Sequence, residues 1–302
     1  MKIILLTYAK DEFKVNALDK LTQVAEARGH EVARVRYVDC AMNIEKSHSS
    51  IVYRGEVLND IDAVIPWIIQ GDFIYGISVL RHFESMGVFA LNSSDAFTLA
   101  ADKWMSAQRF ALKGVPTPNT FRSLDYKAAQ KFIDGMESEC SIIKITTGTR
   151  GNGVILAESR EAAKSIAGAL GICRDTYIIQ EFIKESSGTD IRAYVVDGKV
   201  VGAMERRASK GFRSNISLGG SGHAVQLTEA EAEAAVGAAK ALDLRSAGVD
   251  LIRSNRGPLV VEANASGEFG IESVTGAEVA KTIIDYIEQN AKRQHKKDRV
   301  GA

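Results

Sequence analysis

The chain predicts a mixed fold, α/β in its first third and α+β in the remainder. Three observations carry this. Short apolar strands alternate with amphipathic helices over residues 1–95, as in a small parallel α/β domain. A glycine-rich segment, Thr146–Gly153, separates two short strands. A group of strands with hairpin turns then occupies most of residues 175–290. The organisation expected is an N-terminal domain (1–95), a second unit with the glycine-rich loop (96–175), a third unit (176–290) and a basic tail (291–302).

The elements follow in order. Lys2–Thr7 is an apolar strand, Val15–Arg28 an amphipathic helix stopped at Gly29, and Glu31–Arg36 a second strand. Ala63–Trp67 is a third strand and Ile77–Met86 a helix. Lys103–Lys113 reads as a helix ended by Gly114, and the Pro116–Pro118 pair as a linker. Residues 119–174 give a strand, a helix (Ala128–Gly135), two strands around the glycine-rich loop and a helix (Ser159–Leu170). In the last unit, Thr228 and Glu231 form a capping box that opens a helix to Leu242, and Ala277–Asn290 is a closing helix. No internal repeat or low-complexity stretch interrupts the pattern.

Composition narrows the class. With 302 residues, 45% apolar and 25% charged, the chain is an ordinary globular protein able to bury large cores. Lysine plus arginine balance aspartate plus glutamate, so no global charge argues for direct nucleic-acid binding or an anionic membrane. The basic run Lys292–Arg299 reads as a solvated tail. No apolar stretch reaches membrane-helix length, and the first residues form a strand rather than a signal segment. Cys40, Cys140 and Cys173 are odd in number and widely spaced, which fits a reducing cytoplasm without a zinc site. The five histidines have no metal spacing.

The chemistry concentrates near the C-terminal end. Asp250 closes the run Ser246–Asp250, and Glu262 and Asn264 lie on the following strand beyond the turn Ser254–Gly257. Residues two apart on a strand face the same way, so Glu262 and Asn264 point together with Asp250 opposite. Two carboxylates and an amide oxygen suit Mg²⁺ better than zinc, and Mg²⁺ usually accompanies substrate phosphates. The same pattern also suits a solvated hairpin end. Lys144 sits in the middle of an apolar strand just before the loop with Gly148, Gly151 and Gly153. Such a loop can cradle anionic oxygens, although it is neither a Walker nor a dinucleotide pattern and also suits a plain hairpin turn. Lys103 opens a helix and alone reads as a surface lysine. The strand end Gln180-Glu181-Phe182-Ile183 can offer backbone groups to a purine. Asp190-Ile-Arg192, Glu205-Arg206-Arg207 and Arg213-Ser214-Asn215 add arginines suited to bidentate grips on phosphate or carboxylate, or to surface ion pairs.

Taken in order, these segments resemble the ATP-grasp ligases, and the RimK branch of α-L-glutamate ligases in particular. The resemblance runs over almost the whole chain and includes Ser50–Gly55, Asp62–Pro66 and Arg253–Leu259. It implies a two-subdomain ATP-grasp fold behind the N-terminal domain, with ATP between the second and third units. It implies an ATP-dependent ligase that makes an amide through an acyl phosphate and releases ADP and phosphate. Mg²⁺ (or Mn²⁺) would sit on Asp250, Glu262 and Asn264. Lys103, Lys144, Gly148, Gly151, Gly153, Gln180, Glu181, Phe182, Ile183, Asp190, Arg213, Ser214 and Asn215 would hold nucleotide, and Arg192, Arg207 and Arg213 would be catalytic. The implied donor is L-glutamate and the implied acceptor a protein, peptide or small carboxylate, in a homo-oligomer, often a tetramer among such ligases. The alternatives are another amino acid joined to a small-molecule or carrier acceptor, and a small-molecule kinase. The chain departs from the branch in three places. Ser266-Gly267-Glu268 lacks the usual proline, Thr146-Thr147 replaces a bulkier residue and an acid, and the run after Pro66 lacks an arginine.

Overall fold

The computed structural model describes residues 1–8, 16–46, 48–68, 72–148, 153–173, 176–214 and 219–298, with side chains up to residue 291. A parallel sheet of order β2-β1-β6-β7 opens the chain, built from β1 (Lys2–Thr7), β2 (Glu31–Arg36), β6 (Ala63–Trp67) and the two-residue β7 (Phe89–Ala90). The first three of these strands have the bounds read from the sequence. Both faces of β1 are covered, which is why it reads as a continuous apolar run. Ile3 and Leu5 face one core with helix α1 (Asn16–Ala27), while Ile4 and Leu6 face another with helix α2 (Phe73–Ser85).

The N-terminal part is not parallel throughout. Strands β3 (Cys40–Glu45), β4 (His48–Tyr53) and β5 (Glu56–Val57) form a separate antiparallel sheet. Their mix of polar and apolar residues gave little periodic signal. Helix α2 begins four residues before the expected start at Ile77, and helix α3 (Ser94–Ala101), capped by the Ser93 hydroxyl on Ala96 N, was not expected.

Two antiparallel sheets follow. The first has order β10-β9-β11-β8, from β8 (Thr120–Phe121), β9 (Ser141–Ile145), β10 (Val154–Ala157) and β11 (Tyr177–Glu181). It packs its apolar face on α5 (Tyr126–Asp134) and α6 (Arg160–Ile172). The second has order β14-β13-β12-β15-β16, from β12 (Thr189–Val196), β13 (Lys199–Arg207), β14 (Ser221–Ala224), β15 (Ser246–Ser254) and β16 (Gly257–Asn264).

Strand β12 shows how this sheet divides its labour. Ile191, Ala193 and Val195 face helix α7 (Glu229–Ala241), whose Ala234, Ala235, Ala238 and Ala239 are small enough for the helix to lie close on the sheet. The capping box holds, with Thr228 N donating to Glu231 Oε2 at 2.9 Å and Glu231 N to Thr228 Oγ1 at 3.3 Å. The alternate residues Asp190 and Arg192 face the other way, into a cleft between the two antiparallel sheets. After the short helix α8 (Gly270–Thr275), helix α9 (Val279–Asp298) returns to the first sheet. Its Ile283, Ile284 and Ile287 share one core with Ile3, Leu5 and Leu18. Arg28 Nη1 is also paired with Asp285 at 2.5 Å, so the end of the chain is fastened to its beginning.

Candidate active site

The cleft has a volume of about 550 Å³, within the range of small-ligand sites. Strands β9 to β11 supply one wall and β12, β13, β15 and β16 the other. Its lining brings together Lys103, Lys144, Gly148, Gln180, Glu181, Phe182, Ile183, Asp190, Arg192, Arg213, Ser214, Asp250, Glu262 and Asn264, residues more than 160 positions apart at the extremes. Apolar side chains such as Ile142, Val154, Ile252 and Val261 lie among them, suited to the flat face of a base.

Local structure fixes the two lysines. Asp102 caps helix α4 (Lys103–Leu112), accepting from Trp104 N at 2.8 Å and Met105 N at 2.9 Å. Lys103 is therefore the first helical residue. Its backbone N donates to Thr146 O at 3.0 Å and its Nζ to Gly148 O at 3.0 Å, which ties α4 to the start of the glycine-rich loop. Lys144 is buried in β9 and donates Nζ to Gln180 Oε1 at 2.6 Å. Gln180 is held in turn by Nε2 donating to Thr120 Oγ1 at 2.9 Å. Burial pushes the Lys144 ammonium down to about 8, nearby Glu262 opposes that, and Lys103 adds to it. Among the described residues no carboxylate is bonded to Lys144.

Gly153 does not line the cleft. It forms the neck of the loop, where Gly153 O accepts from Ile145 N at 2.9 Å. Its φ is +72°, and a Cβ there would lie 3.0 Å from the Ile145 side chain, so the position requires glycine for conformation. Gly151 and Asn215 lie outside the described residues.

The arginines separate by strand parity. Arg192 grips Asp250 with two parallel bonds, Nε to Oδ1 and Nη2 to Oδ2, the second at 2.8 Å. Arg206 is only 5% exposed and lines the cleft. Its Nε donates to Asp190 Oδ1 at 2.8 Å, and its Nη2 is paired with Asp190 Oδ2 and lies 3.0 Å from Asp250 Oδ2. The structure does not bring Arg207 into the cleft. Arg207 follows Arg206 on β13 and so turns to the other side, where its exposed side chain pairs with Glu205 at 2.6 Å. Sequence reasoning named the wrong member of the pair to enter the cleft; Arg206 shares parity with buried Met204, which was the available signal. Arg213 is exposed at the cleft and lies over the Phe212 ring, 5.4 Å from its centroid.

Electrostatics follow from this network. Burial pushes the Asp250 carboxyl up, but Arg192 and Arg206 outweigh it and hold Asp250 below the usual carboxylate range. Asp190 stays raised, because burial and the neighbouring Asp250 prevail over Arg206. Burial alone would lower Arg206, but Asp250 and Asp190 together raise it.

The donor set fits a magnesium ion that arrives with phosphates. Asp250 of β15 is the register partner of Glu262 on β16, and Asn264 follows two residues on. Glu262 makes no hydrogen bond or ion pair among the described residues. Asn264 Nδ2 donates to Gly248 O at 3.4 Å, which leaves its oxygen as the acceptor facing the site. Asp250 already accepts two bonds from Arg192 and has Arg206 Nη2 within 3.0 Å, so much of its lone-pair capacity is engaged. A lone cation beside two guanidiniums is disfavoured, and polyphosphate would reverse that balance.

Two further cleft residues come from the stretch Ser266-Gly267-Glu268, noted in the sequence as a departure from the branch but given no site role there. Ser266 continues the alternation Glu262, Asn264, Ser266, and its buried Oγ has no hydrogen-bond partner among the described residues. Glu268 also lines the cleft. It projects from a backbone fixed on both sides. Gly267 is packed against Tyr194 and Gly248, while Phe269 is fully buried edge-on to Trp67 and Tyr194.

Two antiparallel sheets closing on a cleft with buried lysine, an oxygen-donor hairpin and paired arginines define an ATP-grasp ligase. The chain belongs to the RimK-like ATP-grasp family: the RimK PreATP-grasp domain matches residues 1–97 and the RimK-like ATP-grasp domain residues 100–287. A "Probable alpha-L-glutamate ligase" of Thioalkalivibrio sulfidiphilus is 43% identical over 294 residues, covering 97% of each chain. A protein of the same name from Pseudoalteromonas translucida is 45% identical over 293 residues, covering 96% of each. Among solved structures, the ATP-grasp ligase PsnB complexed with minimal precursor, Mg and ADP superposes with a TM-score of 0.71 at 21% identity, covering 96% of this chain and 98% of that one. Among the described residues, no helix is long and apolar enough to cross a membrane.

Proposed function

We propose that the enzyme joins the amine of L-glutamate to a carboxylate of a protein or peptide acceptor, using ATP to make that carboxylate an acyl phosphate. The observation that carries this reading is the cleft itself, where Lys103 and Lys144, neither bonded to a carboxylate among the described residues, share the lining with an oxygen-donor hairpin in a chain over 40% identical to proteins named as glutamate ligases. A carboxylate oxygen is a poor leaving group, and phosphorylation by ATP makes it a good one. The nucleotide would lie between the units 96–175 and 176–290. Its base would rest on the apolar lining near Phe182 and Ile183, and its phosphates on Lys103, Lys144 and Arg213. Asp250, Glu262 and Asn264 would hold Mg²⁺, which neutralises charge on the transferring phosphoryl group. Arg192 would stabilise the acyl phosphate and the tetrahedral oxyanion formed when the amine attacks. Positioning and charge supply the rate, and no protein nucleophile is required.

A second reading keeps the chemistry and changes the donor. Glu268 places a carboxylate in the cleft where the branch usually has Pro-Gly, and a second negative charge there disfavours a dicarboxylic donor. One experiment separates these readings. Incubation with ATP, Mg²⁺ and each amino acid in turn, with a carboxylate-bearing peptide acceptor, should give ADP, inorganic phosphate and a product heavier by one residue with L-glutamate. Another amino acid giving the same nucleotide products moves the specificity only. Phosphorylated product without free phosphate indicates a kinase, and AMP with pyrophosphate overturns the acyl-phosphate route.

A further inference from the structure

The four-residue chain Asp190–Arg206–Asp250–Arg192 alternates in sign across three strands, and it contains one more arginine than the reaction proposed above uses. Arg192 and Asp250 are register partners on β12 and β15, and Asp190 and Arg206 are partners on β12 and β13. Arg206 therefore reaches diagonally past β12 to touch Asp250 Oδ2, the oxygen that Arg192 Nη2 also holds at 2.8 Å. The two guanidiniums are not equivalent. Arg192 spends Nε and Nη2 on Asp250 alone. Arg206 spends the same two nitrogens on Asp190, with Nη2 also close to Asp250, so its fork is fixed and only Nη1 remains for another partner. The side chains of all four are at most 15% exposed.

We propose that Arg206 is a positioning residue, which holds the Asp250 carboxylate in place when Arg192 is shared with the anionic phosphoryl group of the substrate. The proposal rests on the ligase reading above. In the form described here, the fork that should stabilise the reacting anion is occupied by a residue of the metal set. A reacting anion can be met by Arg192 Nη1, or by the fork itself at the expense of its grip on Asp250. Either way Asp250 is held less firmly by Arg192, and a second contact must keep the carboxylate in place. Arg206 supplies it from β13, with Nη2 3.0 Å from Asp250 Oδ2. Asp190 in turn holds Arg206 by a bidentate pair, which fixes the direction of approach.

The test compares Arg206→Gln, Arg206→Lys and wild type. Calorimetry measures ADP binding with and without Mg²⁺, and ligase velocity is titrated against Mg²⁺. Arg206→Gln should raise the half-saturating Mg²⁺ concentration at least tenfold and erase most of the Mg²⁺-dependent gain in ADP affinity. Metal-free ADP affinity should stay within twofold of wild type. Arg206→Lys should recover most of the loss, because an ammonium on β13 can still contact Asp250. An unchanged Mg²⁺ requirement in Arg206→Gln overturns the proposal. So does an equal loss of metal-free ADP binding, which makes Arg206 a direct nucleotide contact, and so does failure of both variants to fold, for which a purely structural ion pair suffices. Absence of any Mg²⁺-dependent ADP binding in wild type would instead sink the ligase reading on which this rests.

Discussion

Lys144 on β9 and Gln180 on β11 are joined by a 2.6 Å hydrogen bond from Nζ to Oε1, with no carboxylate in the pair. A buried ammonium with only an amide oxygen for company is easily neutralised, and burial brings Lys144 down to about 8. Nucleotide phosphates favour its charged form and raise that value again. ATP binding near pH 8 should therefore take up a fraction of a proton. Calorimetry in two buffers of different ionisation enthalpy measures it, and Lys144→Met should abolish the buffer dependence and weaken ATP binding by about tenfold or more. Stability moves in the opposite sense to affinity. The unfolded chain binds this proton up to its ordinary value of 10.5, so Lys144 makes the apo protein more stable as pH rises from about 8 to 10.5. Urea melts of wild type against Lys144→Met across that window report the sign.

The two acids of the oxygen-donor set should part company when neutralised. Glu262 has no bonding partner among the described residues, so Glu262→Gln should change unfolding free energy by no more than about 0.5 kcal/mol. Turnover with Mg²⁺ should still fall by about two orders of magnitude or more. Asp250→Asn removes the shared partner of two buried guanidiniums, and a broken buried pair costs roughly 3–5 kcal/mol. That variant should lose stability as well as turnover. Equal stability losses in the two variants would contradict the pairing described here.

Where one residue's chemistry and its neighbours' periodicity agreed, the sequence was sufficient. Lys2–Thr7, Glu31–Arg36 and Ala63–Trp67 have their observed bounds because both faces of these strands are apolar or half-buried. Thr228 and Glu231 announced a helix start because the capping box is a local interaction. That Asp250 and Glu262 share one hairpin was legible from the turn, but their opposition was not: the turn alone sets Asp250 against Val261, and a bulge between Asp250 and Leu251 shifts the register by one to bring Glu262 opposite. What stayed hidden depends on long-range partners. That Asp250 is already occupied by Arg192 cannot be read from residues 58 positions apart. Gln180 was read for the backbone groups of its strand end, and the bridge its side chain makes between Thr120 and Lys144 had no local signal.

Neighbouring arginines supply a third prediction. Arg207 is largely exposed and bonded to Glu205, and such surface pairs contribute about 0–1 kcal/mol. Arg207→Ala should keep turnover within about twofold of wild type, with a melting temperature nearly unchanged. Arg206→Gln, one residue away, should depart strongly in its Mg²⁺ requirement. Steady-state kinetics on both variants decides whether strand parity governs function here, and a large loss in Arg207→Ala would show that the outer side of β13 takes part in catalysis or acceptor binding.

The last prediction concerns Gly267, which stands where related ligases carry Pro-Gly after the serine. A Cβ at this position would lie 2.8 Å from Tyr194 Cε2 and 3.1 Å from Gly248 N. Tyr194 cannot give way easily, since it is fully buried, its hydroxyl is 3.2 Å from Ser246 Oγ, and its ring meets Phe269 edge-on. The backbone at Gly248 belongs to β15, two residues before Asp250. Gly267→Ala must therefore displace its own segment, at a cost of roughly 1–3 kcal/mol. The displaced segment carries Ser266 and Glu268, both in the cleft, and leaves Lys103, Lys144 and Gln180 untouched on the opposite wall. The KM for the amino-acid donor should rise several-fold while that for ATP stays close to wild type. If instead ATP binding falls and donor KM holds, the donor does not sit against residues 266–268, and the departure from Pro-Gly has no bearing on which amino acid is joined.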